Sequence, residues 1–174
     1  MKIYLLCMCL WASTCCMAQT TGTVTAGVNL PLVALLDIEP IGGITLAFAA
    51  PTEAGAMLGS SATNNTKWIN VSSAVSSGLT RSITARISTT LPSGFQLRVQ
   101  AANASTGAGT RGTSNGAVLL TNVDQTIING IAGAYTLSGS GNGYNLTYSL
   151  SIQSYSQLKS GTSIVTVVYT LQDN

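Results

Sequence analysis

Residues 23–38, TVTAGVNLPLVALLDI, carry an apolar side chain at every even-numbered position. A period of two places these side chains on one face of a β-strand. We therefore predict a long strand, bent at Pro31, which has no N–H to donate to a neighbouring strand. The strand either opens its own domain or is donated to a neighbouring one. Its candidate strand-pairing positions are Val24, Ala26, Val28, Leu30, Leu32, Ala34 and Leu36.

The same alternation recurs along the chain, at 44–48, 83–87, 95–101, 144–152 and 165–171. Glycine, proline and serine clusters separate these segments, and no segment has the pattern of a helix. The fold class is therefore predicted to be all-β, a single antiparallel Ig-like β-sandwich of about eight to nine strands. Two of the intervening segments have recognisable patterns. Residues 91–94 are predicted to form a hairpin turn or a corner between two sheets, and residues 105–116 are predicted to form a long loop.

The first nineteen residues, MKIYLLCMCLWASTCCMAQ, have the pattern of an export signal. Lys2 supplies the positive charge, an apolar stretch follows, and the small residues Cys16 and Ala18 precede the predicted cleavage point. We expect a signal peptide at 1–18 and a β-sandwich domain at 19–174. A retained anchor or a lipoprotein is the alternative. All four cysteines lie within 1–18, so the mature chain is expected to be stabilised by its core without disulfides.

The titratable residues argue against catalysis. The chain has no histidine, which is the commonest general base and metal ligand, and the expected mature part has no thiol. Asp37 and Glu39 would share a face of a strand, either as a solvated strand end or as a small cation or catalytic site. Lys67 is expected to be exposed. We predict no enzyme, no cofactor and no metal, and the sparse charge disfavours nucleic acid as a partner.

Aromatic side chains are the remaining candidates for binding. Trp68 is expected to anchor the core, because it is flanked by apolar residues in a small domain. Tyr135 and Tyr155 lie outside the strongest alternations and are the candidate loop-binding residues. Together with the 105–116 loop they suggest a binding module for glycan or peptide, since loops on a rigid scaffold often carry recognition.

The ordered motifs KWINVSS, SITARI, LPSGFQLRVQA, QTIINGI, GYNLTYSLSI and TVVYTLQDN resemble an uncharacterised family of small secreted β-rich proteins of Gram-negative bacteria. The resemblance covers 68–174. It implies export and an all-β fold, and it implies no functional residues. A weaker likeness to pilin and spore-coat-U-type Ig-like subunits rests on Gly161 before the last strand and Tyr169 within it. Such subunits are completed by a strand from a neighbour.

These observations lead to two hypotheses of different classes. The first is a non-catalytic secreted or surface protein, structural or adhesive, such as a fimbrial-like subunit, that pairs strands with itself or with related subunits. The second is an extracellular binding module for glycan or peptide. Either protein would be exported to the periplasm, the outer surface or the medium of a Gram-negative bacterium. Neither is expected to bind nucleic acid or to have an integral membrane span in the mature chain.

Overall fold

The computed structural model describes residues 21–59 and 61–174, so the predicted signal peptide at 1–18 lies outside the described residues. The described residues belong to two units, 21–30 and Pro31–Asn174. Within the described ranges all regular structure is β-strand apart from one short 3₁₀ turn, η1, at Tyr155–Gln157. The strands are β1 (Val33–Glu39), β2 (Ser61–Ala74), β3 (Arg81–Ile87), β4 (Phe95–Ala101), β5 (Ala108–Ser114), β6 (Ala117–Leu119), β7 (Gln125–Tyr135), β8 (Tyr144–Ile152) and β9 (Val167–Asp173).

Every strand pairing is antiparallel, which confirms the predicted class. The hydrogen-bonded order is β6-β4-β8-β2-β7-β3-β9, with β1 added to β2 and β5 added to β7. The long strand β2 changes partner along its length. It pairs with β8 from Ser61 to Ile69, and with β7 at Ser72 and Ser73. This change of partner connects β1, β4, β6 and β8 to β3, β5, β7 and β9.

The core is built from the apolar positions of the alternating strands. In β4, Leu97, Val99 and Ala101 are buried, while Arg98 and Gln100 between them are exposed. The predicted face of the last strand is also confirmed, because its apolar side chains pack against the core. Burial of this kind supplies most of the stability of a domain without disulfides. The side chains of β9 and its approach that pack against the core are Val165, Val167, Tyr169 and Leu171.

The first predicted strand is shorter than the alternation suggests. β1 begins at Val33, and residues 21–32 have no regular secondary structure. β1 pairs with β2 from Val33 opposite Ala74 to Glu39 opposite Trp68. Pro31 cannot donate to a ladder, and a strand needs a partner whose hydrogen bonds offset the entropy of ordering it.

Three other segments differ from the sequence predictions, although for 91–94 only the hairpin is excluded and the alternative, a corner between two sheets, is not. The 105–116 segment is not a loop, because it contains β5, which pairs with β7. The strands on either side of 91–94 do not form a hairpin, since β3 pairs with β7 and β9 while β4 pairs with β6 and β8. The 44–48 alternation forms no strand within the described residues. Its side chains nevertheless pack, and Phe48 stacks on Phe95 with ring centroids 5.6 Å apart.

Candidate functional site

The predicted strand-pairing residues fall into two groups. Those of the first group, up to Leu32, lie outside regular structure and are exposed, Val24 by 95% and Val28 by 94%. Those of the second group, Ala34 and Leu36, lie in β1, where Ala34 is exposed and Leu36 packs against the core. The alternation therefore does not form one continuous strand face. The first group comprises Val24, Ala26, Val28, Leu30 and Leu32.

Four strands pair along one side only within residues 21–59 and 61–174. They are β1, β5, β6 and β9. A one-sided strand presents unpaired N–H and C=O groups on its other side, and these groups can template the addition of another strand. The domain thus carries backbone edges that strand addition could use.

A cleft of about 540 Å³ lies beside Tyr135. Its floor is the outward face of β1 and β2, where two cross-strand pairs stand next to each other: Leu35 opposite Ser72, and Asp37 opposite Asn70. Directly opposed side chains in an antiparallel ladder have Cβ atoms about 5 Å apart, so the two pairs form a continuous surface. The wall consists of Tyr135, Leu137 and Ser138. We call this site the Tyr135 cleft.

The wall of the Tyr135 cleft is held in place by the residue between its two large side chains. Thr136 is fully buried, its N–H donates to the carbonyl oxygen of Val71 at 3.0 Å, and its Oγ1 accepts from the Val71 N–H at 2.9 Å. This double connection to β2 fixes Tyr135 and Leu137 on either side of it. Leu137 has a positive φ of 68°, a conformation that costs a leucine about 1–2 kcal/mol. Both Tyr135 and Leu137 remain about half exposed.

Two polar side chains define the chemistry of the floor. Asp37 is exposed, and its Oδ1 accepts from the N–H of Ile38 at 2.8 Å. Asn70 is buried; its Nδ2 donates to the carbonyl oxygen of Asn142 at 2.8 Å, and its Oδ1 has no donor among the described residues. The floor therefore offers one accessible acceptor, the solvated carboxylate of Asp37, while Oδ1 of Asn70 is buried. The second candidate carboxylate, Glu39, lies further along β1 and does not line the cleft.

The two tyrosines predicted to bind are not brought together. Tyr135 is the last residue of β7 and lines the cleft. Tyr155 lies in η1, is also half exposed, and its hydroxyl donates to the carbonyl oxygen of Leu58 at 3.4 Å. The sequence did not indicate Leu35, Asn70 or Leu137, because their role depends on strand register and on the β2–β7 contact. The only hint in the sequence that Leu137 could line a site is its position just before the SGSG turn.

In the part of the chain that the structure describes, no group of three or more acidic, histidine or cysteine side chains could hold a metal ion. The two ion pairs found there, Arg81–Asp173 and Arg86–Asp124, each contain one carboxylate. Among the same residues there is no helix with the length and apolar character needed to cross a bilayer. The geometry therefore offers two features for function. One is the exposed apolar segment 21–32, which could add to a sheet as a strand, and the other is the Tyr135 cleft.

Comparison of the chain with models of known protein families, with curated proteins and with solved structures finds no match.

Proposed function

We propose that the protein is an exported, non-catalytic structural or adhesive protein that assembles or binds through β-strand pairing. One observation carries the proposal: an alternating apolar segment, 21–32, lies outside regular structure with its large side chains exposed, Leu30 by 77% and Leu32 by 70%. Contiguous exposed apolar side chains on a soluble surface mark an interaction site. The partner is a second copy or a related subunit.

The one-sided strands support this proposal. Strand addition gains affinity from main-chain hydrogen bonds and specificity from pockets for alternate side chains. The described domain offers such an edge on β9, whose Val167, Tyr169 and Leu171 already pack against the core. An added strand would extend the sheet and bury apolar side chains that water now surrounds. Both effects favour association.

A charge-placement experiment tests the proposal. The double substitution Val24→Lys and Val28→Lys puts two charges on the apolar face of the segment. The double substitution Thr25→Lys and Asn29→Lys adds the same charge on the opposite face, and is the matched control. Sedimentation velocity of the purified protein should show self-association of the unsubstituted chain and of the control. The Val24/Val28 variant should be monomeric, because buried ammonium groups oppose pairing.

Removal of 21–32 gives a second, independent measurement, and leaves β1 intact. The shortened protein should unfold with an unchanged midpoint in urea and should not assemble. A chain that is monomeric before any substitution, or that assembles equally well with lysine at both apolar positions, would contradict strand pairing through this segment.

The wider assignment is part of the same proposal. We place the chain with the small secreted β-rich proteins that its motifs resemble, in the periplasm, on the outer surface or in the medium of a Gram-negative bacterium. The change of partner along β2 supports an Ig-like sandwich, because it divides the strands into two antiparallel groups, as the two packed sheets of such domains require. The likeness to pilin-type subunits would then extend to assembly by strand addition.

A second candidate function is favoured by the Tyr135 cleft. A binding module for glycan or peptide needs a concave site with apolar walls and a few polar groups. The cleft has both, and its volume of about 540 Å³ is within the usual range for small-ligand sites. An adhesive protein could combine the two functions, with strand pairing for assembly and the cleft for attachment.

A further inference from the structure

The Tyr135 cleft has amphipathic lining. Leu35 in the floor and Tyr135 and Leu137 in the wall expose 65%, 50% and 52% of their surface, and the Asp37 carboxylate lies beside Leu35 on the same face of β1. Asp37 uses Oδ1 for the Ile38 N–H, and its Oδ2 has no hydrogen bond within the described residues. Neither lysine nor arginine lines the cleft. A fitting ligand therefore presents apolar surface and hydrogen-bond donors, and it needs no negative charge.

We infer that the Tyr135 cleft binds a neutral pyranose sugar, whose C–H face packs on Tyr135 and Leu137 while a ring hydroxyl donates to Asp37. This inference rests on the second proposed function and names its ligand class. A pyranose has one relatively apolar face and a rim of hydroxyls, which match the walls and the floor. A purely aliphatic ligand would leave the Asp37 carboxylate desolvated without a donor, which costs free energy.

Asn70 is the polar neighbour of Asp37 in the floor. It stands opposite Asp37 in the β1–β2 ladder, and its amide nitrogen is committed to the carbonyl oxygen of Asn142. Its buried Oδ1 is left without a donor among the described residues. Buried polar groups in folded proteins are nearly always paired, with protein or with ordered water. Because this oxygen is buried, an ordered water is the donor that fits it, and the ligand itself contacts Asp37 rather than Asn70.

Leu137 is the second observation. It is the one non-glycine residue with positive φ among residues 21–59 and 61–174, and its side chain is half exposed. The strained backbone is therefore not compensated by burial of the leucine. Residues held in such conformations cluster at ligand-binding sites, where the surrounding structure enforces them. Here the enforcing structure is Thr136, hydrogen-bonded to Val71, and its effect is to hold an apolar side chain over the floor.

The inference is tested by titrating the purified protein with neutral mono- and disaccharides (glucose, galactose, mannose, N-acetylglucosamine, lactose and cellobiose) and following backbone amide shifts by NMR. At least one sugar should shift the backbone amide resonances of Leu35, Tyr135 and Leu137. Tyr135→Ala should lower the affinity for that sugar at least about tenfold, and Asp37→Asn should lower it several-fold. Leu137→Gly should weaken binding while thermal stability is unchanged or higher, an outcome that a purely structural role for Leu137 would not give.

Matched controls lie elsewhere on the domain. Tyr155→Ala removes an equally exposed tyrosine outside the cleft, and Asp124→Asn removes an exposed carboxylate outside it. Neither should change the affinity. A Tyr135→Ala variant with unchanged affinity, or a Tyr155→Ala variant that loses as much, overturns the assignment. Circular dichroism of each variant confirms its fold, and Tyr135→Phe, which keeps the ring, should retain most of the affinity.

Peptide ligands separate this inference from the function on which it rests. The same titration is repeated with short peptides that contain leucine, lysine or arginine. If a peptide shifts the cleft residues and no neutral sugar does, the sugar assignment is overturned and the binding module stands. If neither sugars nor peptides shift them, both are overturned. Salt dependence identifies a cationic ligand, because its attraction to Asp37 is screened.

Discussion

Nε of Arg81 lies 2.6 Å from Oδ1 of Asp173, and this ion pair joins β3 to the last residue of β9. The Arg81 side chain is 6% exposed and that of Asp173 is 69% exposed. Nη1 of Arg81 also donates to the carbonyl oxygens of Val33 and Ala74 and to Oγ of Ser73. One buried guanidinium therefore connects the start of β1, the end of β2 and the end of β9.

The two partners of this ion pair should differ in their effect on stability. Arg81→Met removes every donor and leaves backbone carbonyls unpaired, so the free energy of unfolding should fall by about 2–4 kcal/mol. Asp173→Asn keeps an acceptor at an exposed position and should cost less than about 1 kcal/mol. Urea unfolding of both variants measures the difference. Equal losses would show that the carboxylate, rather than the backbone contacts, gives Arg81 its effect.

A second prediction concerns Gly109 in β5. It has a φ of 87°, and a Cβ at this position would overlap the carbonyl oxygen of Gly133 in the paired strand β7. Gly130 has a similar φ of 79°, but a Cβ there would meet open space. Gly130→Ala should therefore lower the free energy of unfolding by about 1 kcal/mol, from backbone strain alone.

Gly109→Ala should lower the free energy of unfolding by at least about 2 kcal/mol more than Gly130→Ala, because β5 must separate from β7 to accommodate the methyl group. Hydrogen exchange of the β5 and β7 amides should become faster in the same variant. Equal losses for the two substitutions would mean that close backbone contact is not what holds β5 on β7.

The β5 result shows why part of the fold was not predictable. A period of two follows from burying one face of a strand, so the inner residues of β4 and β9 could be read from the sequence. Glycine has little strand propensity, and its use at Gly109 depends on how close β7 comes. Pairing partners were equally inaccessible. β3 and β4 are neighbours in sequence, but each pairs with strands distant in the chain.

The candidate site was predictable to a similar extent. Tyr135 was a candidate loop-binding residue because it lies outside the strongest alternations, whereas Asp37 was considered only as a solvated strand end or as a cation or catalytic site. Asn70 became relevant only through its register opposite Asp37, which depends on the pairing of β1 with β2. Leu137 depends on the contact between Thr136 and Val71. Such long-range relationships are fixed by tertiary packing, which overrides local preference.

A third prediction concerns pH. Burial raises the pKa of Tyr144 to about 12 and also raises the pKa of Tyr148 and of Tyr169, whose hydroxyls lie 2.6 Å apart. An unfolded tyrosine has a pKa of about 10. The unfolded chain therefore releases protons that the folded chain retains. The stability contributed by these residues is complete below about pH 10 and is lost as the pH rises above it.

As the pH rises from about 10 to the raised pKa of each of the three tyrosines, that tyrosine's contribution to the free energy of unfolding should fall by about 1.4 kcal/mol per pH unit. Tyrosinate absorbance and circular dichroism in an alkaline titration should therefore show the buried tyrosines ionising together with unfolding. Tyr148→Phe should make the stability fall less steeply with pH. Complete ionisation of all tyrosines in a protein that remains folded would contradict the burial of these hydroxyls.

The last prediction concerns Lys67, which is buried although it was expected to be exposed, and its neighbour Trp68, which was expected in the core. Lys67 shares the inner face of β2 with Ile69, is 5% exposed, and its Nζ donates to the carbonyl oxygen of Pro40. Trp68 is only half-buried. No carboxylate among the described residues pairs with Lys67. Lys67→Met keeps the packing and leaves an exposed carbonyl to water, so stability should be unchanged or about 1 kcal/mol higher.

Lys67→Ala is the comparison that separates packing from charge. It removes the ammonium group as Lys67→Met does, but it also leaves a cavity next to Ile69, so the free energy of unfolding should fall by about 1–3 kcal/mol. Urea unfolding at neutral pH measures both variants. If Lys67→Met is as destabilising as Lys67→Ala, the hydrogen bond to Pro40 is what Lys67 contributes, and the turn after β1 depends on that bond for its position.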